Sequence, residues 1–119
     1  MNIDKYKKMI EEEIVESMIA YMKFAEEECI YNEKDVEKCK QLLINYLNEL
    51  SVMENPIDKE IKIKVKKLVI SLNKLNEKLD YTLIETEQRE SICEFINETA
   101  IDRGLQDRSE DITEEWREW

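Results

Sequence analysis

The 119-residue sequence contains no histidine. That absence removes the commonest general base, the Ser-His and Cys-His nucleophile arrangements, and the Glu-x-x-His ligand sets of di-iron bundles. Glycine occurs once, at Gly104, so no Gly-rich loop exists to cradle a phosphate. Proline also occurs once, at Pro56. With abundant Glu, Lys, Leu and Ile, this sparing use of helix breakers predicts long helices joined by short connections. The three cysteines, Cys29, Cys39 and Cys93, are odd in number and widely spaced, which fits reduced thiols better than a disulfide framework. A zinc site built from them would lack its fourth protein ligand. No apolar run approaches the roughly 18–20 residues needed to span a bilayer, and the opening MNIDKYKKMIEEE meets charge too soon for a signal core. The inventory predicts a soluble, cytoplasmic, non-catalytic chain with no cofactor, no metal and no membrane partner.

Charge is present in excess and unevenly placed. The net charge of −11 argues against a sequence-independent grip on nucleic acid, which depends on clustered Lys and Arg releasing counterions. A basic partner suits it better, although an acidic balance also simply keeps a protein soluble. Residues 1–84 contain no Arg and residues 85–119 no Lys. By thirds, residues 1–54 carry −6, residues 55–84 carry +3 and residues 85–119 carry −8. Arg makes planar, multi-point contacts where Lys acts as a point charge, so Arg89, Arg103, Arg108 and Arg117 hint at fixed polar contacts in the tail. The runs Glu11-Glu12-Glu13-Glu16 and Glu26-Glu27-Glu28 lie on charge-rich helix faces and read as solvated surface.

The hydrophobic pattern predicts an all-α chain in a single domain, residues 1–119, with a compositional boundary near 84/85. A first helix is expected over about 3–30, on a stripe of Tyr6, Ile10, Ile14, Met18, Tyr21, Ala25 and Cys29. A second, capped by Asn32 or Asp35, carries Val36, Cys39, Leu43, Tyr46, Leu50 and Met53 and ends before Pro56. The central helix follows, with Asn55 as expected N-cap and Pro56 at its first position. Its line of Ile57, Ile61, Val65, Leu68, Leu72, Leu75 and Leu79 is interrupted by nothing polar. EIKIKVK alternates and reads locally as a strand, but the line runs through it, so helix is preferred. Ile63 and Ile70 lie roughly 180–200° from Ile61 on this helix, an apolar spot suited to a homodimer seam.

Residues 81–84 look like an extended crossover. A helix over about 87–103 is then expected, with Thr86 as N-cap, Gly104 as left-handed terminator and Ile92, Phe95, Ile96, Thr99 and Ala100 inward. The tail from Ser109 has Asp111 three residues before Glu114, a spacing that predicts a short closing helix with Trp116 and Trp119 docked on one surface. The segment ETEQRESICEFI, the GL turn and the ending DITEEWREW resemble a C-terminal pattern of small uncharacterised bacterial proteins. That resemblance covers the last third of the chain and implies a tail with specified packing, no activity and no ligand.

One pattern asks for an answer. Glu90, Glu94, Glu98 and Asp102 fall every four residues along one side of the fourth helix, where like charges repel mildly. The preferred answer is internal, from Lys67, Lys74 and Lys78 of the central helix; the other is a basic partner. The sequence thus predicts a four-helix bundle-like domain with a short additional C-terminal helix. The leading functional expectation is an acidic interaction protein, of inhibitor or immunity type, binding a basic partner. A self-assembling helical module with unknown role is the alternative, and a small-molecule enzyme a remote one.

Overall fold

The computed structural model describes residues 1–108 and 111–119. The first helix is a continuous rod in three parts: α1 (Ile3–Met9), a π-helical stretch (Ile10–Val15) and α2 (Glu16–Ala25). Asn2 caps it, its side chain accepting the Lys5 N–H at 3.1 Å. It stops five residues short of the expected end. At Glu26 the backbone turns to φ 50, ψ −117 and a 3₁₀ turn follows over Glu26–Glu28. The connection is pinned by Tyr31, whose buried hydroxyl donates to the Met18 carbonyl at 3.2 Å and whose ring stacks on Tyr21.

Helix α3 (Glu33–Ser51) begins with a reciprocal cap. The Asn32 side chain accepts from the Lys34 and Asp35 N–H groups, and the Asp35 carboxylate accepts from the Asn32 N–H. Its stripe of Val36, Cys39, Leu43, Tyr46, Leu47 and Leu50 is buried. Burial pushes the Cys39 thiol up to about 12, so this cysteine is a protonated, small apolar group at neutral pH.

Helix α4 (Asp58–Lys78) starts two residues later than the Asn55–Pro56 pair suggests. Asn55 takes a left-handed conformation at φ 43, and Ile57 holds the N-cap position with its own N–H donating to Glu60 at 3.1 Å. Ile57 is therefore exposed and drops out of the central line, while Ile61, Val65, Leu68, Leu72 and Leu75 are buried as expected. The helix meets neighbours on two sides, α3 and α5. Its second contact flank is Val69, Asn73 and Asn76, which are also buried.

A Schellman turn ends α4, with the Tyr81 N–H on the Asn76 carbonyl at 2.8 Å and the Asp80 N–H on the Glu77 carbonyl at 3.0 Å. Asp80 and Tyr81 accept positive φ there without being glycine. The crossover returns through buried Leu83 and Ile84 to α5 (Thr86–Asp102). Its N-cap is Glu85, one residue before the expected Thr86, and the Glu85 N–H donates to the Gln88 side chain. Gly104, at φ 115, closes α5 with the Leu105 N–H on the Ala100 carbonyl and the Gly104 N–H on the Ile101 carbonyl. Only this helix end has the residue that a left-handed turn prefers.

In cyclic order the bundle runs first helix, α3, α4, α5 and back to the first helix. The first helix and α4 are thus diagonal. Phe95 sits between Tyr6 and Tyr46 in edge-to-face contacts at 6.3 and 5.9 Å, and the Tyr46 hydroxyl pairs with buried Thr99 at 2.8 Å. The tail closes as a run of turns over 112–116 instead of a regular helix, with one helical bond from the Arg117 N–H to the Thr113 carbonyl. Residues 109 and 110 of the expected tail segment lie outside the described residues. No helix among the described residues is long and apolar enough to cross a membrane.

Candidate functional site

The acidic row sits where the sequence puts it, along the outer side of α5, but its neighbours are not those expected. Because α5 lies between α4 and the first helix, its inward residues Ile92, Phe95, Ile96 and Thr99 fix the helix in the core. The acidic side then borders α1. Lys5 reaches Glu98 at 3.9 Å with both side chains about half exposed, and the Tyr6 hydroxyl donates to Asp102 at 2.9 Å. A shallow depression of about 210 Å³ there is lined by Lys5, Lys8, Glu12, Glu13, Glu94 and Glu98. Four carboxylates face two ammonium groups in it. Glu90 and Glu94 are exposed and have no hydrogen-bond or ion-pair partner among the described residues.

The internal answer expected from α4 is therefore corrected. Lys67 is committed to Glu49 of α3 at 2.9 Å, in a cluster that Lys64 completes at 3.6 Å and that holds the Glu49 carboxyl below its usual range. Lys74 and Lys78 line a groove with Lys34 and Lys38 on the far side of α4. None of the three reaches α5. An exposed pair such as Lys5–Glu98 contributes at most about 1 kcal/mol, so most of the repulsion along the row is left to solvent or to something else.

The expected self-association spot is partly open. Ile63 is 55% exposed and Ile70 half-buried on the outer side of α4, and Ile63 shares a depression with Trp116, Lys59, Lys62 and Lys66. The tryptophans dock as expected, both half-buried against the core.

What holds them is a pair of asparagines that the apolar pattern passes over. Asn73 donates from its Nδ2 to the Trp116 carbonyl at 2.7 Å and accepts the Glu118 N–H at 3.1 Å. Asn97 of α5 donates to Asp111 and accepts the Ile112 N–H. Asp111 is partly buried, which by itself would raise its pKa. Hydrogen bonds from the Thr113 N–H and hydroxyl and from Asn97, with Arg117 beside it, outweigh that and hold it below its usual value. The confinement of Arg to the tail signals real contacts: Arg117 lies over the Trp119 ring, and Arg103 donates to the Leu50 carbonyl at 2.8 Å. The indole N–H of Trp119 is buried without a hydrogen-bond partner among the described residues.

Cys93 is half-buried near Thr113, and burial raises its pKa, away from a reactive thiolate. Among the described residues no group of three or more Asp, Glu, Cys or His side chains has the arrangement of a metal site. No protein-family model matches the chain, and no curated protein or solved structure matches it.

Proposed function

We propose that this chain is a non-catalytic acidic interaction protein, of inhibitor or immunity type, that meets a basic partner through the outer side of α5. The observation that carries this reading is the unanswered state of Glu90 and Glu94 on a helix whose opposite side is locked in the core. A rigid row of carboxylates loses little conformational freedom on binding and attracts a basic surface before contact. The α4 lysines that would have neutralised the row are engaged or turned elsewhere.

The experiment is a pull-down from the source lysate with the parent and with the double variant Glu94→Gln, Glu98→Gln, at low and moderate salt. The parent is expected to recover a basic protein, more at low salt. The variant should fold with nearly the parent's stability and recover less, because steering charges act mainly on the encounter rate. No partner for the parent, or equal recovery by both proteins, overturns the reading.

A further inference from the structure

On the face away from the acidic row, α3 and α4 form an antiparallel pair with a groove of about 650 Å³ between them. Its floor is apolar, from Leu42 and Leu75, and its two rims are basic, with Lys34 and Lys38 on α3 and Lys74 and Lys78 on α4. Each rim spaces its lysines by four residues, so the ammonium groups stand in two short parallel rows. None of the four forms an ion pair among the described residues. The single carboxylate lining the groove, Glu37, accepts a hydrogen bond from Gln41. An apolar floor between unpaired cations, on a protein of net charge −11, calls for an acidic occupant with apolar side chains.

The same chain displays that chemistry at the same end of the bundle. The connection from α2 to α3 carries Glu26, Glu27 and Glu28, all exposed, between Phe24 and Ile30, which are 87% and 56% exposed. Phe24 is the most exposed large apolar side chain among the described residues. The connection does not enter the groove of its own chain. It runs directly into the first turns of α3, where Lys34 and Lys38 stand, so projection and groove adjoin at that end of the bundle. Two copies facing each other across a two-fold axis would each offer a projection to the other's groove, which closes the pair without leaving a free contact.

We propose that the groove between α3 and α4 binds the Phe24–Ile30 connection of a second copy of this chain, forming a two-fold dimer. Phe24 lies over Leu42 and Leu75, and the carboxylates meet the lysine rims. This dimer is independent of the α5 face, and its groove is lined by neither Ile63 nor Ile70.

Sedimentation velocity on the full chain over a concentration series, at low and moderate salt, tests it. The parent should show a reversible monomer–dimer equilibrium that weakens as salt rises. Phe24→Ser, the groove variant Lys74→Glu with Lys78→Glu, and the projection variant Glu27→Lys with Glu28→Lys should each weaken association at least about tenfold. All should retain the parent's helical circular dichroism; if the groove variant does not, Lys34→Glu with Lys38→Glu replaces it. Mixing the groove and projection variants should restore a dimer, because the α4 rim of each groove then faces charge of the opposite sign in both contacts. A parent that stays monomeric throughout overturns the proposal. So does a dimer unaffected by these substitutions, or a mixture of the two charge variants that stays monomeric.

Discussion

Asn76→Ala tests how α4 holds the crossover. The Asn76 side chain is 1% exposed, and its Oδ1 accepts two backbone N–H groups, from Leu83 at 3.1 Å and from Ile84 at 3.0 Å. Both donors belong to buried residues, and neither is satisfied by a helix or a strand. Leaving a buried donor unpaired costs about 1–3 kcal/mol. Two donors, with partial relief from water entering the space left by the amide, give about 2–5 kcal/mol. That is a large part of the roughly 5–15 kcal/mol by which a domain is stable. Equilibrium urea denaturation followed by far-UV circular dichroism reads the loss as a lower midpoint at unchanged slope. Hydrogen exchange adds the location: the Leu83 and Ile84 amides should lose protection by more than their neighbours in α5. A loss below about 1 kcal/mol with both amides still protected would refute the reasoning. Asn73→Ala is the internal comparison. It frees the tail at Trp116 and Glu118, so its effect should appear as local opening around the tryptophans before global unfolding.

Two further predictions concern the tyrosines and the first connection. Burial raises the phenol pKa of Tyr31, Tyr46 and Tyr6, with the Asp102 carboxylate adding to the shift at Tyr6. The folded state therefore holds these protons more tightly than the unfolded state. Their contribution to stability is whole below the unfolded value of about 10 and is lost as pH rises above it. Titration at the tyrosinate absorption band should show these three phenols ionising only together with the loss of helical signal; smooth ionisation with the fold intact would contradict their burial. Glu26 holds φ 50, ψ −117, a region that favours glycine, so Glu26→Gly should stabilise the monomer by about 1 kcal/mol net of the extra freedom of the unfolded chain. A lowered urea midpoint would show that the turn is not strained.

The helices were legible because their apolar period is long and regular. The stripes of α3, α4 and α5 are buried nearly residue for residue. Even the π-helical stretch left a trace. Tyr6, Ile10, Ile14 and Met18 follow three successive steps of four, which drift off one line in an α-helix but hold it where a turn takes more than four residues. The boundaries were less readable. Proline after Asn suggests a cap, yet Ile57 takes that position because Asn55 is spent on a left-handed turn.

Asn73 and Asn76 escaped because asparagine on a charged helix resembles solvent-facing sequence. Their position directly after Leu72 and Leu75 was the available clue to a buried flank. The partners of the acidic row were illegible for another reason. A row's spacing fixes its own side of α5, whereas its neighbour depends on the cyclic order of the bundle, and no residue pattern encodes that order locally.

The contrast between α4 and its neighbour α5 has an electrical consequence. Within Asp58–Lys78 seven lysines oppose three carboxylates, a net +4, while Thr86–Asp102 carries one arginine against five carboxylates, a net −4. The molecule is a dipole superimposed on a large negative monopole. Salt screens beyond about 8 Å at physiological ionic strength, so a neighbour at contact feels the nearer side of the molecule and little of its total charge. At that ionic strength an acidic surface brought against the α4 side is attracted despite the chain's net charge, and two molecules approaching in solution are turned toward each other before they touch.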